Sequence, residues 1–398
     1  MPLLVLLIGM LGMAALLARG PLLMNDFVEY WAAGTLNLAG QNPYDRDLIL
    51  QTERAAGFEG QQALMMLNPP PVLTLTMPFG ALPYRPAALL WLLLSSGALF
   101  YSCVVLWDYA AGPRQSRRLA LLCGVLFVPS VFALLLGQIS ILVLLGIALF
   151  LRYERDGRMF EAGVASSLLL IKPHVVYLVG AAILAVSVRK RDRQFALGAL
   201  LAGTACLIPL IFNPAVYAQY FEMSRTESLT HFSTSTLGTL LRIAARDPNR
   251  FGLQFLPMFL GLAFLAARLR RRRGAEWAWE EEMPALATVS VATAAYGWVF
   301  DQVVLLVTGL SILAVAARTG GRRLLLVLLF WLAIDAIGFE QARRGVDPLW
   351  YFWIPFAFLF ALLAFRMDFG HSAGDQDACR HQGTVGTAGG MKKRPGSG

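Results

Sequence analysis

Charge is scarce in this sequence. Of its 398 residues only 15% are Asp, Glu, Lys or Arg, against about a quarter in a soluble domain, which excludes a water-facing surface over most of the chain. Cysteine is scarcer still. Cys103, Cys123, Cys206 and Cys379 show no metal-ligand or disulfide-framework spacing, and the first three sit inside apolar runs, where they read as small apolar filler. There is no Gly-rich phosphate loop, no HExxH and no GxSxG, so nucleotide-driven chemistry has no support. Also missing are an internal repeat of fixed period, the short alternating segments of a β-barrel and the paired interrupted helices of an inverted-repeat transporter.

What the chain has is apolar length. Hydrophobic residues make up 57% and the mean hydropathy is +0.59. Apolar runs cover 3–18, 86–107, 119–136, 139–152, 161–171, 174–188, 195–212, 251–268, 284–300, 302–317, 323–338 and 349–365. A run near 20 residues matches a hydrocarbon core of about 30 Å at 1.5 Å per residue, and backbone in lipid must satisfy itself, so each run reads as a helix. The expectation is an all-α polytopic membrane bundle of about twelve transmembrane helices, with residues 1–366 as one membrane domain. Residues 367–398, Gly-rich and polar, cannot bury a core and read as a disordered cytoplasmic tail. The first run lacks a basic n-region and a small-x-small cleavage site, so it reads as a retained helix rather than a signal peptide.

The net charge of +9 would suggest nucleic acid in a soluble protein. Here the basic residues gather in short loops: Arg114, Arg117 and Arg118; Arg152, Arg155 and Arg158; Arg189 to Arg193; Arg268 to Arg273; Arg318, Arg322 and Arg323. These loops should share the cytoplasmic face. The opposite, outer face then carries the long polar stretch 20–85, the segment 213–250 and the loop 339–348, with both termini inside. NPPPVLTLTMPFGALP (68–83) is too proline-rich for a continuous helix and suggests a re-entrant or interfacial piece.

Polar residues cluster on that outer face. Asp26, Glu29, Tyr30 and Trp31 follow the first apolar run. On a helix Asp26 shares a face with Glu29 (i, i+3) and Tyr30 (i, i+4), which sets a carboxylate beside an aromatic ring. Such a carboxylate can serve as a general base towards a hydroxyl; the plainer alternative is a solvated helix cap. Lys172, Pro173 and His174 interrupt an apolar stretch, and a lysine at membrane depth faces a cavity or a partner. A lipid phosphate is a natural ligand, and a snorkelling lysine the alternative. Gly137-Gln138 and Asp301-Gln302 each separate two apolar runs on the same side, as site residues or as plain turns. Arg225, Glu227 and His231 lie in a loop that either faces substrate or is merely solvated. Asp335 stands alone inside an apolar run.

Together these stretches resemble glycosyltransferase family 87, the polyprenyl-phosphate-mannose-dependent type of the GT-C membrane fold. The similar segments are DFVEYWAAGTLNLAGQNPYD (26–45), 68–83, GQISILVLLGIALFL (137–151), GVASSLLLIKPHVVYL (163–178) and YGWVFDQVVLL (296–306). Asn68 stands where the family often has an aromatic residue. The resemblance implies an inverting transfer of a hexose, mannose by family habit, from a polyprenyl-phosphate donor to a lipid or glycan acceptor outside the plasma membrane. It implies Asp26 as the base and Lys172 with His174 neutralising the departing phosphate; the clustering of polar residues on the outer face adds Glu29, Tyr30, Gln138 and Asp301 as candidates to line the substrate site. It implies no nucleotide, no cofactor and no metal, and nucleic acid is not expected as a partner. Two rival classes share the helical pattern: a transporter or lipid flippase, and a non-catalytic scaffold that binds undecaprenyl-type lipids.

Overall fold

The computed structural model describes Gly12 and residues 24–226, 232–246 and 250–365. The first apolar run, Glu227, His231 and the tail from residue 366 lie outside the described residues. The polar stretch after Met24 folds into α1 (Asn25–Leu38), α2 (Arg46–Ala55) and α3 (Leu73–Gly80), and then comes the long α4 (Tyr84–Tyr109). Next are α5 (Arg117–Leu126), α6 (Val128–Leu136), α7 (Ser140–Arg155), α8 (Met159–Ser166), α9 (Tyr177–Lys190) and α10 (Arg193–Ala205). The remainder is α11 (Ile208–Phe212), α12 (Val216–Thr226), α13 (Leu237–Ala244), α14 (Leu256–Arg271), α15 (Trp279–Ala292), α16 (Leu306–Thr319), α17 (Gly321–Arg343) and α18 (Trp353–Ala364). Among the described residues every regular element is helical.

Among the described residues five helical stretches are long and apolar enough to cross a bilayer: Tyr84–Tyr109, Arg193–Phe212, Phe251–Arg271, Val299–Thr319 and Gly321–Arg343. A sixth arises if α5 and α6, bent by 58° at their junction, count as one span. The all-helical membrane bundle is thus seen with five or six bilayer-length spans among the described residues, and the fuller count of about twelve is not seen there. Two physical causes separate the numbers. First, several apolar runs form helices too short to cross: α7 has 16 residues, α9 and α15 have 14 each, and α18 has 12, so they reach about 18–24 Å against a core of about 30 Å. Second, runs that look continuous are broken. Phe127 is extended before Val128-Pro129, where the proline ring cannot follow a helical carbonyl four residues back. Asp335 accepts the freed Val128 N–H at 3.0 Å, the partner that sequence left unassigned. Residues 161–188 likewise form a broken pair, turning at Lys172 between α8 with its 3-10 extension and α9. The proline segment 68–83 becomes a 3-10 turn and the eight-residue α3.

The lipid-facing surface and the core divide the apolar residues. Leu184, Leu200, Phe259, Leu332 and Phe360 are exposed on outer helices. Residues Leu306 to Ala316 of α16 are all buried, as expected of a helix that is apolar on every side because protein surrounds it.

The arginine-rich loops meet at one end of the bundle. Arg155 reaches the Tyr109 carbonyl and Glu280, Arg318 reaches the carbonyls of Ala110 and Ala111, Lys190 pairs with Glu154, and Arg189 donates to the Arg272 carbonyl. From this end α7 runs back about 24 Å to Ser140, α9 to the Lys172 turn and α16 to Asp301. The polar segments singled out from sequence thus gather at the opposite end.

Candidate active site

Helix α1 carries the first acidic residues, and its position is fixed by close backbone approach. A Cβ on Gly80 would come 2.4 Å from the Thr35 nitrogen and 2.5 Å from the Gly34 carbonyl carbon, so α1 and α3 cross where neither chain has a side chain. Aromatic packing locks the other face: Phe27 stacks on Trp91 with ring centroids 5.2 Å apart, and Trp31 meets Tyr84 edge-on. Neither Asn25 nor Asp26 caps the helix through its side chain. Asp26 instead projects towards α6.

There, α6 ends at Gly137, whose φ of +74° is a left-handed conformation that favours glycine. A Cβ at this position would also lie 2.6 Å from the Phe27 Cβ. The tight ending aims the next residue, Gln138, at α1. Its Nε2 donates to the Asp26 carboxylate at 2.7 Å, while its Oε1 accepts from the Tyr30 hydroxyl at 3.0 Å and from the Lys172 ammonium at 2.8 Å. The lysine decides the orientation of the amide. An ammonium can only donate, so the carbonyl oxygen faces it and the NH₂ is left for Asp26.

Lys172 is itself held by a buried ion pair, Nζ to Asp301 Oδ1 at 2.8 Å, with the side chains only 6% and 1% exposed. It also lies 4.7 Å from the centre of the Phe300 ring. Asp301 also accepts from the Ser140 hydroxyl at 2.5 Å and the Trp298 N–H at 2.9 Å. The turn that presents Lys172 is pinned from outside: Asn68 donates to the Ile171 carbonyl at 3.2 Å, and Tyr44 donates to the Asn68 carbonyl at the same distance.

A continuous chain therefore runs from Asp26 through Gln138 and Lys172 to Asp301. It joins α1, the α6–α7 junction, the Lys172 turn and the entry to α16, with directly bonded members up to 129 positions apart. The three inner members are buried, whereas Asp26 keeps partial exposure. Burial pushes the Asp26 carboxyl above its ordinary range, and the Gln138 hydrogen bond and the Lys172 charge pull it back. Glu29 is half-buried, interacts with the Tyr30 hydroxyl and feels the charge of Asp26. His174 stands apart from the chain, edge-on to Tyr296 with centroids 6.1 Å apart. Gln302 donates to the Tyr351 carbonyl and so serves packing. Arg225 is exposed on α12, 4.0 Å from Glu222, away from the chain. Among the described residues no three His, Cys, Asp or Glu side chains gather as a metal-ligand set.

Sequence reading missed Ser140 and Asn68. Both carry a usable signal in retrospect: a hydroxyl at the start of an apolar helix, and an amide directly before three prolines. Gly137 offers a direct test of the geometry. Gly137→Ala should cost about 1–3 kcal/mol through the left-handed strain and the clash with Phe27, and should weaken catalysis further by moving Gln138 off Asp26. A lowered melting temperature with unchanged specific activity in the surviving folded fraction would contradict the second half.

The profile of glycosyltransferase family 87 matches residues 67–289, more than half of the 398-residue chain. No curated protein and no solved structure matches the chain. The matched stretch contains Gln138, Lys172 and His174; Asp26 and Asp301 lie outside it, on either side in sequence, yet in the fold they complete the same hydrogen-bonded chain. With several bilayer-length apolar helices and a match of this extent, the transporter and scaffold readings give way: the chain belongs to glycosyltransferase family 87 and is a membrane enzyme that moves a sugar from a donor to an acceptor.

Proposed function

We propose that the enzyme transfers a hexose, mannose being the first to test, from a polyprenyl-phosphate donor to a lipid or glycan acceptor on the outer face of the plasma membrane. One observation carries this reading. The buried chain Asp301–Lys172–Gln138 ends on a carboxylate that keeps partial exposure, Asp26, at the end of the bundle opposite the arginine-rich loops, and those loops favour the cytoplasm.

In the proposed step, the acceptor O–H gives its proton to Asp26. The acceptor oxygen then bonds to the anomeric carbon while the bond from that carbon to the phosphate oxygen breaks on the opposite face. The products are an inverted glycoside and a polyprenyl phosphate that keeps the bonding electron pair. Gln138 holds the Asp26 carboxylate in one orientation, and Lys172 holds Gln138. With its charge compensated by Asp301, Lys172 acts here as a positioning residue. Glu29, half-buried beside the base, can meet an acceptor hydroxyl, the buried Tyr30 holds Gln138, and His174 faces the aromatic wall of Tyr296.

The test is transfer from radiolabelled polyprenyl-phosphate mannose into membrane lipid or glycan extracts by the purified wild-type protein. Incorporation into a new glycosidic bond is the expected result. No incorporation with mannose, glucose or pentose donors would remove the lipid-phosphate donor from the proposal.

A further inference from the structure

The mechanism above leaves one buried cation unused. Arg242, on α13, is 4% exposed. Its Nη2 donates to the Phe232 carbonyl at 3.3 Å, but its Nε and Nη1 have no hydrogen-bond partner among the described residues. No ion pair joins it to a carboxylate among them either, in contrast to Lys172 with Asp301. Arginine cannot shed its proton within a protein, so the charge persists, and a buried charge without a counter-ion is a costly arrangement. An anion from outside the described residues would compensate it.

The surroundings indicate which kind of anion. The Arg242 guanidinium carbon lies 5.8 Å from the centre of the Phe251 ring, and Phe251 and Phe255 both pack on Tyr296. Tyr296 meets His174, two residues beyond Lys172, so the aromatic wall beside Arg242 reaches the turn that carries Lys172. On the other side the surface turns apolar: Ile243, Phe255 and Leu256 are exposed, and Phe259 and Leu260 of α14 are 66% exposed each. The position of Arg242 is rigid. A Cβ on Gly238 would come 2.4 Å from the Gln254 carbonyl oxygen, and Gln254 is held by Thr239 at 2.9 Å and by the Ala295 carbonyl. Donors fixed before the ligand arrives are the kind that stabilise a developing charge.

We propose that Arg242 is the receptor for the phosphate of the lipid-linked donor: an alkyl phosphate whose charged head meets the guanidinium and whose apolar chain lies along the exposed side chains of 255–260. Naming the anion as a donor phosphate rests on the glycosyltransferase reading given above; the anion site itself rests on Arg242. During transfer this charge, rather than the compensated Lys172, faces the phosphate as it takes up the electron pair.

The experiment uses purified full-length protein, with farnesyl phosphate, farnesol and inorganic phosphate as probes and thermal shift as readout, on wild type, Arg242→Gln, Arg242→Lys and Asp26→Asn. Farnesyl phosphate should stabilise wild type and Asp26→Asn alike, bind Arg242→Gln at least about tenfold more weakly, and bind Arg242→Lys with intermediate affinity. Farnesol should not discriminate wild type from Arg242→Gln. Without ligand, Arg242→Gln should melt no lower than wild type, because an uncompensated charge has been removed; an arginine with a purely structural role would give a lower melting temperature. Equal farnesyl phosphate affinities for wild type and Arg242→Gln would overturn the assignment while leaving sugar transfer untouched. Inorganic phosphate that protects at the same concentration as farnesyl phosphate would overturn the lipid source. Arginine-dependent farnesyl phosphate binding in a protein that transfers no sugar from any polyprenyl donor would sustain the anion site and refute the donor reading instead.

Discussion

Lys172→Met should be among the most damaging single substitutions in this enzyme, with a loss of about 3–5 kcal/mol of stability. The physical reason is what remains behind. Asp301 is 1% exposed and loses its cation, retaining only the Ser140 hydroxyl and the Trp298 N–H. A buried pair gains little over an apolar pair of similar size, but half a pair is expensive. The double variant Lys172→Met with Asp301→Asn should therefore recover much of the lost stability, a coupling that a double-mutant cycle reads directly. Activity should not recover with it. Without the ammonium the Gln138 carbonyl keeps only the Tyr30 hydroxyl as a donor, so the amide that orients Asp26 is held more loosely. Thermal unfolding of all four proteins, alongside transfer rates for the folded fractions, separates the two effects. A single variant as stable as wild type, or a double variant less stable than the single, would show that the pair is not the buried unit described here.

That pair also shows how far sequence reading reaches. Asp26, Tyr30, Gln138, Lys172 and Asp301 were each visible because a polar side chain inside or beside an apolar run is costly and must have a reason. Their partners were not visible. Lys172 and Asp301 are 129 positions apart, and nothing local in either segment specifies the other. Arg242 was hidden by its setting, since a segment that reads as an outer loop makes an arginine look solvated, and only the packing of α13 on 251–255 buries it. The apolar runs outnumber the bilayer-length helices among the described residues for a related reason. Hydropathy reports whether a segment tolerates an apolar environment, not whether that environment is lipid or protein, nor how far the helix stays straight. Residues 302–317 are apolar because the bundle surrounds them, and 119–136 bends at Phe127 because Pro129 and Asp335 make a break there. The grouping of arginine-rich loops was legible without any of this, because charge excluded from the bilayer marks loop ends whatever the helices between them do.

Asp26→Asn should lower the transfer rate by about 10²–10⁴-fold, the range in which a positioned base contributes, with little change in stability. The substitution is nearly silent in shape: an amide oxygen at position 26 can still accept from Gln138 Nε2, as the carboxylate does at 2.7 Å, so the inner chain to Lys172 and Asp301 need not rearrange. What disappears is the capacity to take a proton from the acceptor hydroxyl. The pH profile gives a second, independent signature. Burial pushes the Asp26 carboxyl above its ordinary value of 3.8, with Gln138 and Lys172 opposing. A base works only when ionised, so activity should be full at pH above this raised pKa and should fall as pH drops through it, placing the acid limb of kcat/KM higher than for an ordinary carboxylate. Lys172→Met removes one of the opposing influences and should move the limb further up, provided the folded fraction is assayed. Wild-type rates in Asp26→Asn would shift the base to Glu29, which sits beside Tyr30 and is half-buried. Asp301 is then a poor alternative, because three donors, Lys172, Ser140 and the Trp298 N–H, already hold its two oxygens, and at 1% exposure it lies out of an acceptor's reach.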